Sequence, residues 1–198
     1  ELLQEKAIKA TFFVLGWIAQ RHPQLIAKLV NQGHEIASHG WSHRRVTEQT
    51  EVQFRQDVGR TKGLLEDLSG QSVIGYRAPS YSIGRQTLWA FGVLKETGHL
   101  YSSSIFPIHH DLYGMPEAPR FAFKPLDDGF TEFPVTTIRI ARVNLPCAGG
   151  GWFRLLPYPV MRWAMRRVYH TDQQPVIFYL HPWELDPAQP RVSGLSAK

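Results

Sequence analysis

The sequence predicts an α/β fold in which a mostly parallel sheet is covered by helices. Three observations carry this. Short apolar stretches of strand length alternate along the chain with segments whose apolar residues recur at helical spacing. The strand-like stretches are nearly continuous in apolar residues, the pattern of strands buried on both faces. Histidines and an arginine follow directly on strand ends, where folds of this class build their active sites.

The elements follow in order. Ala10 to Leu15 reads as a buried strand. Pro23 opens a helix with Leu25, Ile26, Leu29 and Val30 on its apolar face, and Gly33 ends it. His34 to Ser38 is a short strand. A second helix follows Thr47, with Phe54, Val58, Leu65 and Leu68 at helical spacing and Gly70 as the stop. Ser72 to Tyr76 is a strand, Arg85 to Thr97 a helix closed by Gly98, and Leu100 to Ser104 strand-like. Phe106 to Asp128 is irregular and rich in Pro. Phe133 to Ile140 reads as a strand, Gly149 to Gly151 as a flexible loop, and Tyr158 to His170 as a helix. Pro175 to Leu180 is the last strand, and residues 185–198 form a polar tail. The expectation is one domain over residues 1–198.

Bulk properties exclude several classes. No apolar run approaches the roughly 20 residues of a membrane-spanning helix, so no transmembrane segment is expected. The first ten residues are too charged for a signal peptide. The balance of 22 Lys and Arg against 17 Asp and Glu is a mild bias that gives no nucleic-acid signature. Arg162, Arg166 and Arg167 could attract an acidic glycan or a lipid surface, although a solvated helix face is the simpler reading. Cys147 is the single cysteine, which rules out an internal disulfide and reads as a small buried residue. Oligomeric state and compartment are not encoded. No Gly-x-Gly-x-x-Gly or Gly-Lys-Ser/Thr phosphate loop is present.

The chemistry-bearing residues share strand ends. His39 and His43 follow the strand ending at Ser38, and two imidazoles four residues apart can share a metal ion, given a third ligand. Arg77 follows Tyr76, and a strand-end guanidinium can hold a carboxylate through paired hydrogen bonds. Pro79 stiffens the loop after it. His181 follows Leu180 and is suited to donate a proton near neutral pH. Trp183 can face a sugar ring or pack in the core.

Taken together, Thr11-Phe-Phe-Val14, Gly33-His-Glu-Ile-Ala-Ser-His39 with His43, Arg77-Ala-Pro79 and Leu180-His181 resemble the NodB-like polysaccharide deacetylases of carbohydrate esterase family 4. Residues 103–108, 149–158 and 181–187 resemble the branch linked to bacterial exopolysaccharide and exosortase loci. The resemblance implies a distorted (β/α) barrel that removes acetyl groups from an N-acetylated glycan. It implies a divalent metal, zinc, held by His39, His43 and an Asp. A second Asp acts as base, oriented by Arg77, and His181 acts as acid. Pro79, Ser80, Tyr81 and Trp183 contact substrate. The family's Asp block belongs upstream of Thr11, where Glu1 and Glu5 are the only acids, so the barrel's first strand and both Asp residues are expected to be missing from this sequence. Ser80 stands where the family has an aromatic residue, and Ser102 where this branch often has Asp. Two other functions remain open: a non-catalytic glycan-binding relative lacking the Asp pair, and a carbon–nitrogen hydrolase acting on a small cyclic amide.

Overall fold

The computed structural model describes residues 2–111, 113–126, 129–186 and 188. Most of the expected polar tail, residues 187 and 189–198, therefore lies outside the described residues. The chain divides into two compact units, Glu1–Val135 and Thr136–Lys198.

The first unit runs α1 (Leu2–Glu5), β1 (Thr11–Val14), α2 (Gly16–Arg21), α3 (Pro23–Asn31), β2 (Glu35–Ser38), α4 (Glu51–Ser69), β3 (Gly75–Tyr76), α5 (Trp89–Glu96), β4 (Tyr101–Ser102) and β5 (Thr131–Glu132). The five strands form one parallel sheet in the order β1-β2-β3-β4-β5. Each crossover thus steps the same way. Right-handed connections that never reverse leave helices on one side of the sheet, as in barrel-type β/α folds, whereas a doubly wound sheet reverses at a switch point.

Local chemistry fixes the helix ends. Pro23 stands in the first turn of α3. Thr50 caps α4: its hydroxyl accepts from the Gln53 amide while the Gln53 side chain accepts from the Thr50 amide. Gly70 ends α4 in the left-handed region, φ 65°. Phe54, Val58 and Leu65 of α4 are fully buried. Phe54 and Val58 lie in one core cluster with Tyr76, Phe91, Leu94, Ile105 and Phe130, and Leu65 in a second with Ile26, Leu29 and Ile36. Each such side chain contributes roughly 1.5–3 kcal/mol.

β3 and β4 are shorter than the sequence suggests. A side chain compensates: the Tyr101 ring lies across Gly75, where a Cβ would clash with it, and its hydroxyl donates to Glu35 of β2 at 2.8 Å. The predicted helix over 85–97 begins only at Trp89, and α1 and α2 have no counterpart in the sequence reading.

The second unit holds β6 (Thr137–Ile140) and β7 (Val143–Pro146) as an antiparallel hairpin, α6 (Gly150–Leu155) and α7 (Tyr158–Thr171). Met161, Ala164 and Val168 are the buried face of α7. Three expectations change here. The strand expected over 133–140 is confined to β6, Thr137–Ile140, which pairs with β7 as the first arm of the hairpin, and residues 133–136 are not strand. The glycines at 149–151 are not a flexible loop: Gly149 precedes α6, and a Cβ on Gly149 or Gly150 would strike Tyr179 or Glu184. Residues 175–180 form no strand. The Ile177 amide donates to the Thr136 hydroxyl at 2.7 Å and its carbonyl accepts the Thr136 amide at 3.5 Å, so a side chain stands where a ladder would be. Phe178 and Leu180 are exposed rather than core.

Candidate active site

The ends of the sheet strands form a staircase. The amide of His39 donates to Val14 O at 3.0 Å, that of Arg77 to Ser38 O at 2.9 Å, that of Ser103 to Tyr76 O at 2.9 Å, and that of Phe133 to Ser102 O at 2.7 Å. Each residue that leaves a strand is thereby fixed to the last turn of pleat of its neighbour, at the C-terminal edge of the sheet.

His39 and His43 come together, with ring centroids 5.1 Å apart and planes at 76°. The Nδ1 of His39 lies 2.7 Å from the Arg77 carbonyl oxygen. A carbonyl only accepts, so Nδ1 carries the proton and Nε2 is the nitrogen that could ligate a metal ion. Two imidazoles on a tetrahedral zinc, with Zn–N of about 2.0–2.1 Å, place their centroids about 5 Å apart. The pair therefore fits two ligand positions of such an ion. Among the described residues no group of three His, Cys, Asp or Glu is gathered for a full shell. Glu5 sits in α1, away from any strand end.

The loop between the two histidines is clamped from below. Gly40 adopts φ +72°, and a Cβ there would lie 2.8 Å from Asp57 Oδ1. The Asp57 carboxylate accepts the Trp41 amide at 3.1 and 3.2 Å. Burial pushes the Asp57 carboxyl above its ordinary value, against the pull of that amide and of Arg44 and Arg60. On the other side, the first amides of α2 donate to the carbonyls of Gly40 and Trp41 at 3.0 and 3.1 Å. Asp57 escaped the sequence reading, yet it lies on the buried stripe of α4 between Phe54 and Thr61, three and four residues away. A carboxylate on such a stripe is its own signal.

Arg77 is half-buried. Its Nε donates to Ser103 O at 3.0 Å and its Nη2 to Ser103 Oγ at 2.8 Å, while its guanidinium carbon lies 4.2 Å from the centre of the Phe13 ring. The Pro79–Tyr81 turn follows, with Ser80 and Tyr81 at φ 53° and 50°. Pro79 and Tyr81 are buried, and Tyr81 packs against Phe106 and Tyr113. Ser80, with intermediate burial, is the most accessible of the three.

In the second unit His181 caps a short turn. Its amide donates to Glu184 Oε2 at 2.7 Å, and its Nδ1 lies 3.4 Å from the same oxygen. The Trp183 ring stacks on the imidazole at 4.0 Å and is half exposed, so it is not a core residue. Cys147 is buried, as expected. Among the described residues no helix is long and apolar enough to cross a membrane.

Residues 1–99 match the family described as polysaccharide deacetylase, and residues 103–198 match a domain of unknown function (DUF3473). A peptidoglycan-N-acetylglucosamine deacetylase of Bacillus cereus is 33% identical over 89 residues, 44% of this chain and 32% of the relative. Chitin deacetylase 1 of Cryptococcus neoformans is 34% identical over 79 residues, 40% of this chain and 17% of the relative. The chain thus spans a third or less of these relatives' length. The crystal structure of a proposed polysaccharide deacetylase from Mycobacterium smegmatis is 30% identical, with a TM-score of 0.56 over 68% of this chain and 43% of that one. A mutant of a CE4 family pseudoenzyme with restored activity shares the fold, with a TM-score of 0.52 at 16% identity over 90% of this chain and 48% of that one.

Proposed function

Since the chain belongs to the polysaccharide deacetylase family, we propose that it serves a metal-dependent hydrolase that removes acetyl groups from an N-acetylated glycan. The observation that carries this reading is the tie between His39 and the Arg77 backbone beside His43: two imidazoles and an arginine at neighbouring strand ends. His39 and His43 are the residues that would hold the ion, and their nitrogen donors suit zinc. When bound, a divalent ion supplies Lewis acidity toward an acetyl carbonyl and lowers the pKa of water.

The chain's own groups divide the remaining work. Arg77, held by Ser103, presents paired N–H groups that orient a carboxylate base; by family resemblance that base and a third ligand are Asp residues upstream of Thr11. The Tyr81 amide already donates to Ala78 O at 3.1 Å, so the Ser80 amide is the turn's candidate donor to a developing oxyanion. His181 protonates the departing sugar amine, its ring oriented by Glu184, whose Oε2 lies 3.4 Å from Nδ1. Trp183 offers an aromatic face to a sugar ring. A role in exopolysaccharide production rests on the likeness of residues 103–108, 149–158 and 181–187 to that branch.

The test is acetate release from N-acetylglucosamine oligomers by the zinc-loaded protein extended upstream of Thr11 to carry the Asp pair, with metal analysis alongside. H181A is expected to lower turnover roughly 10²–10⁴-fold, and H39A to lose zinc. Binding without acetate release would point instead to a glycan-binding relative, and release from small cyclic amides to another carbon–nitrogen hydrolase. Full zinc occupancy in H39A would end the ligand assignment.

A further inference from the structure

Glu132 closes β5 and has no exposed surface, an unfavourable place for a carboxylate. Burial pushes its carboxyl up to about 7. The side chain is nevertheless engaged on one edge. Oε1 accepts two consecutive amides, Ser104 at 2.7 Å and Ile105 at 2.8 Å. The Ser102 hydroxyl also acts on the carboxylate as a hydrogen-bond donor.

The two amides belong to the segment that leaves β4, and that segment holds the arginine. Ser103 supplies both the carbonyl and the hydroxyl that receive the Arg77 guanidinium. Ser104 Oγ accepts the Ala78 amide at 2.8 Å and lies 2.6 Å from Ser102 Oγ. One carboxylate oxygen therefore fixes the residue after the clamp, and that residue fixes the backbone that leads into Pro79.

We infer that Glu132 is a positioning residue: through residues 103–105 it sets the orientation of the Arg77 guanidinium and of the Ala78–Pro79 backbone. The inference builds on the deacetylase reading only in the use it gives Arg77. Without Glu132, two buried amides lose their acceptor and the segment must turn to find another. An amide side chain in its place keeps an oxygen at the same position.

The experiment compares E132A with E132Q in the full chain, isotopically labelled for NMR. The Arg77 Nε–H and the Ala78, Ser104 and Ile105 amides are followed by hydrogen exchange, with Ile26 and Leu29 of α3 as remote controls. In E132A the first four are expected to exchange at least tenfold faster while the controls stay unchanged, and E132Q is expected to restore wild-type protection. Unchanged protection of Arg77 and Ala78 in E132A overturns the inference. So does faster exchange of the controls as well, which marks general loss of stability, and so does an E132Q as impaired as E132A. If E132A does not fold, E132D withdraws the acceptor by one methylene and is read the same way. Binding of N-acetylglucosamine oligomers is measured in parallel. Its failure in the wild type removes the glycan reading and leaves the exchange result standing.

Discussion

The imidazole of His39 is tied to the backbone of Arg77, with Nδ1 donating to the arginine's carbonyl oxygen at 2.7 Å. The residue that would bind a metal is therefore joined by a hydrogen bond to the backbone of the residue that would orient a base. A tilt of that peptide rotates the imidazole, so the two strand ends act as one part.

Asp57 secures the Gly40–Trp41 link between the two histidines. D57A is expected to weaken zinc binding roughly 10–100-fold, the usual cost of removing support behind a ligand, while the fold persists. D57N keeps an acceptor for the Trp41 amide and should fall between the two. Competition with a chromophoric chelator reads the affinity, and equal affinities in all three proteins would remove Asp57 from this role.

Two buried groups give stability opposite pH slopes. Burial raises the Glu132 carboxyl from 4.5 to about 7, so the native state holds its proton more tightly. Its contribution is fully present below about 4.5 and is lost as pH rises through about 7. Burial, with the Lys62 charge, lowers His99 from 6.5 to about 4. That contribution is present above 6.5 and lost as pH falls through about 4. Each slope amounts to roughly 3 kcal/mol over its window, and in wild type they offset. E132Q should therefore lose stability more steeply than wild type on acidification. H99Q should lose it as pH rises from 4.5 to 7. Urea unfolding at several pH values checks both, and parallel curves for all three proteins would contradict the assignment.

G75A places a methyl group against the Tyr101 ring. Crowding of this kind costs about 1–3 kcal/mol. The hydroxyl oxygen is one of the two atoms nearest that methyl, so G75A should cost less in a Y101F background than in wild type. Denaturant unfolding of the double-mutant cycle measures this.

The turn between β6 and β7 carries Ala141 and Arg142 at φ 45° and 71°. Side chains at both left-handed positions are unfavourable, and an Asn-Gly pair suits such a turn. A141N/R142G is expected to stabilise the second unit by about 1–2 kcal/mol, seen as a higher melting temperature.

The same turn shows what the sequence conceals. Without Asn-Gly, the hairpin gave no signal, and residues 133–140 read as one strand. Residues 175–180 are apolar enough for a buried strand, but composition does not reveal that Thr136 takes the place of a pairing partner. By contrast, the helix from Glu51 to Ser69 was legible because its cap, apolar stripe and terminal glycine agree. His39 and Arg77 were legible because each directly follows a strand, and His43 because it stands four residues beyond His39. Their supports, Asp57, Ser103, Ser104 and Glu132, were not. Asp57, Ser104 and Glu132 act through backbone amides of residues distant in sequence and Ser103 through the Arg77 guanidinium, and no local pattern encodes such a bond.

Tyr101 reaching over Gly75 to Glu35 has a mechanical meaning. β3 and β4 contribute only two residues each to the sheet, too few rungs to resist sliding. A phenol laid crosswise over three strands works as a bolt: β4 cannot slip lengthwise against β2 unless the ring is first drawn out of its slot. The relative height of the histidine and arginine ledges is therefore locked by one aromatic side chain and by the absence of another side chain beneath it.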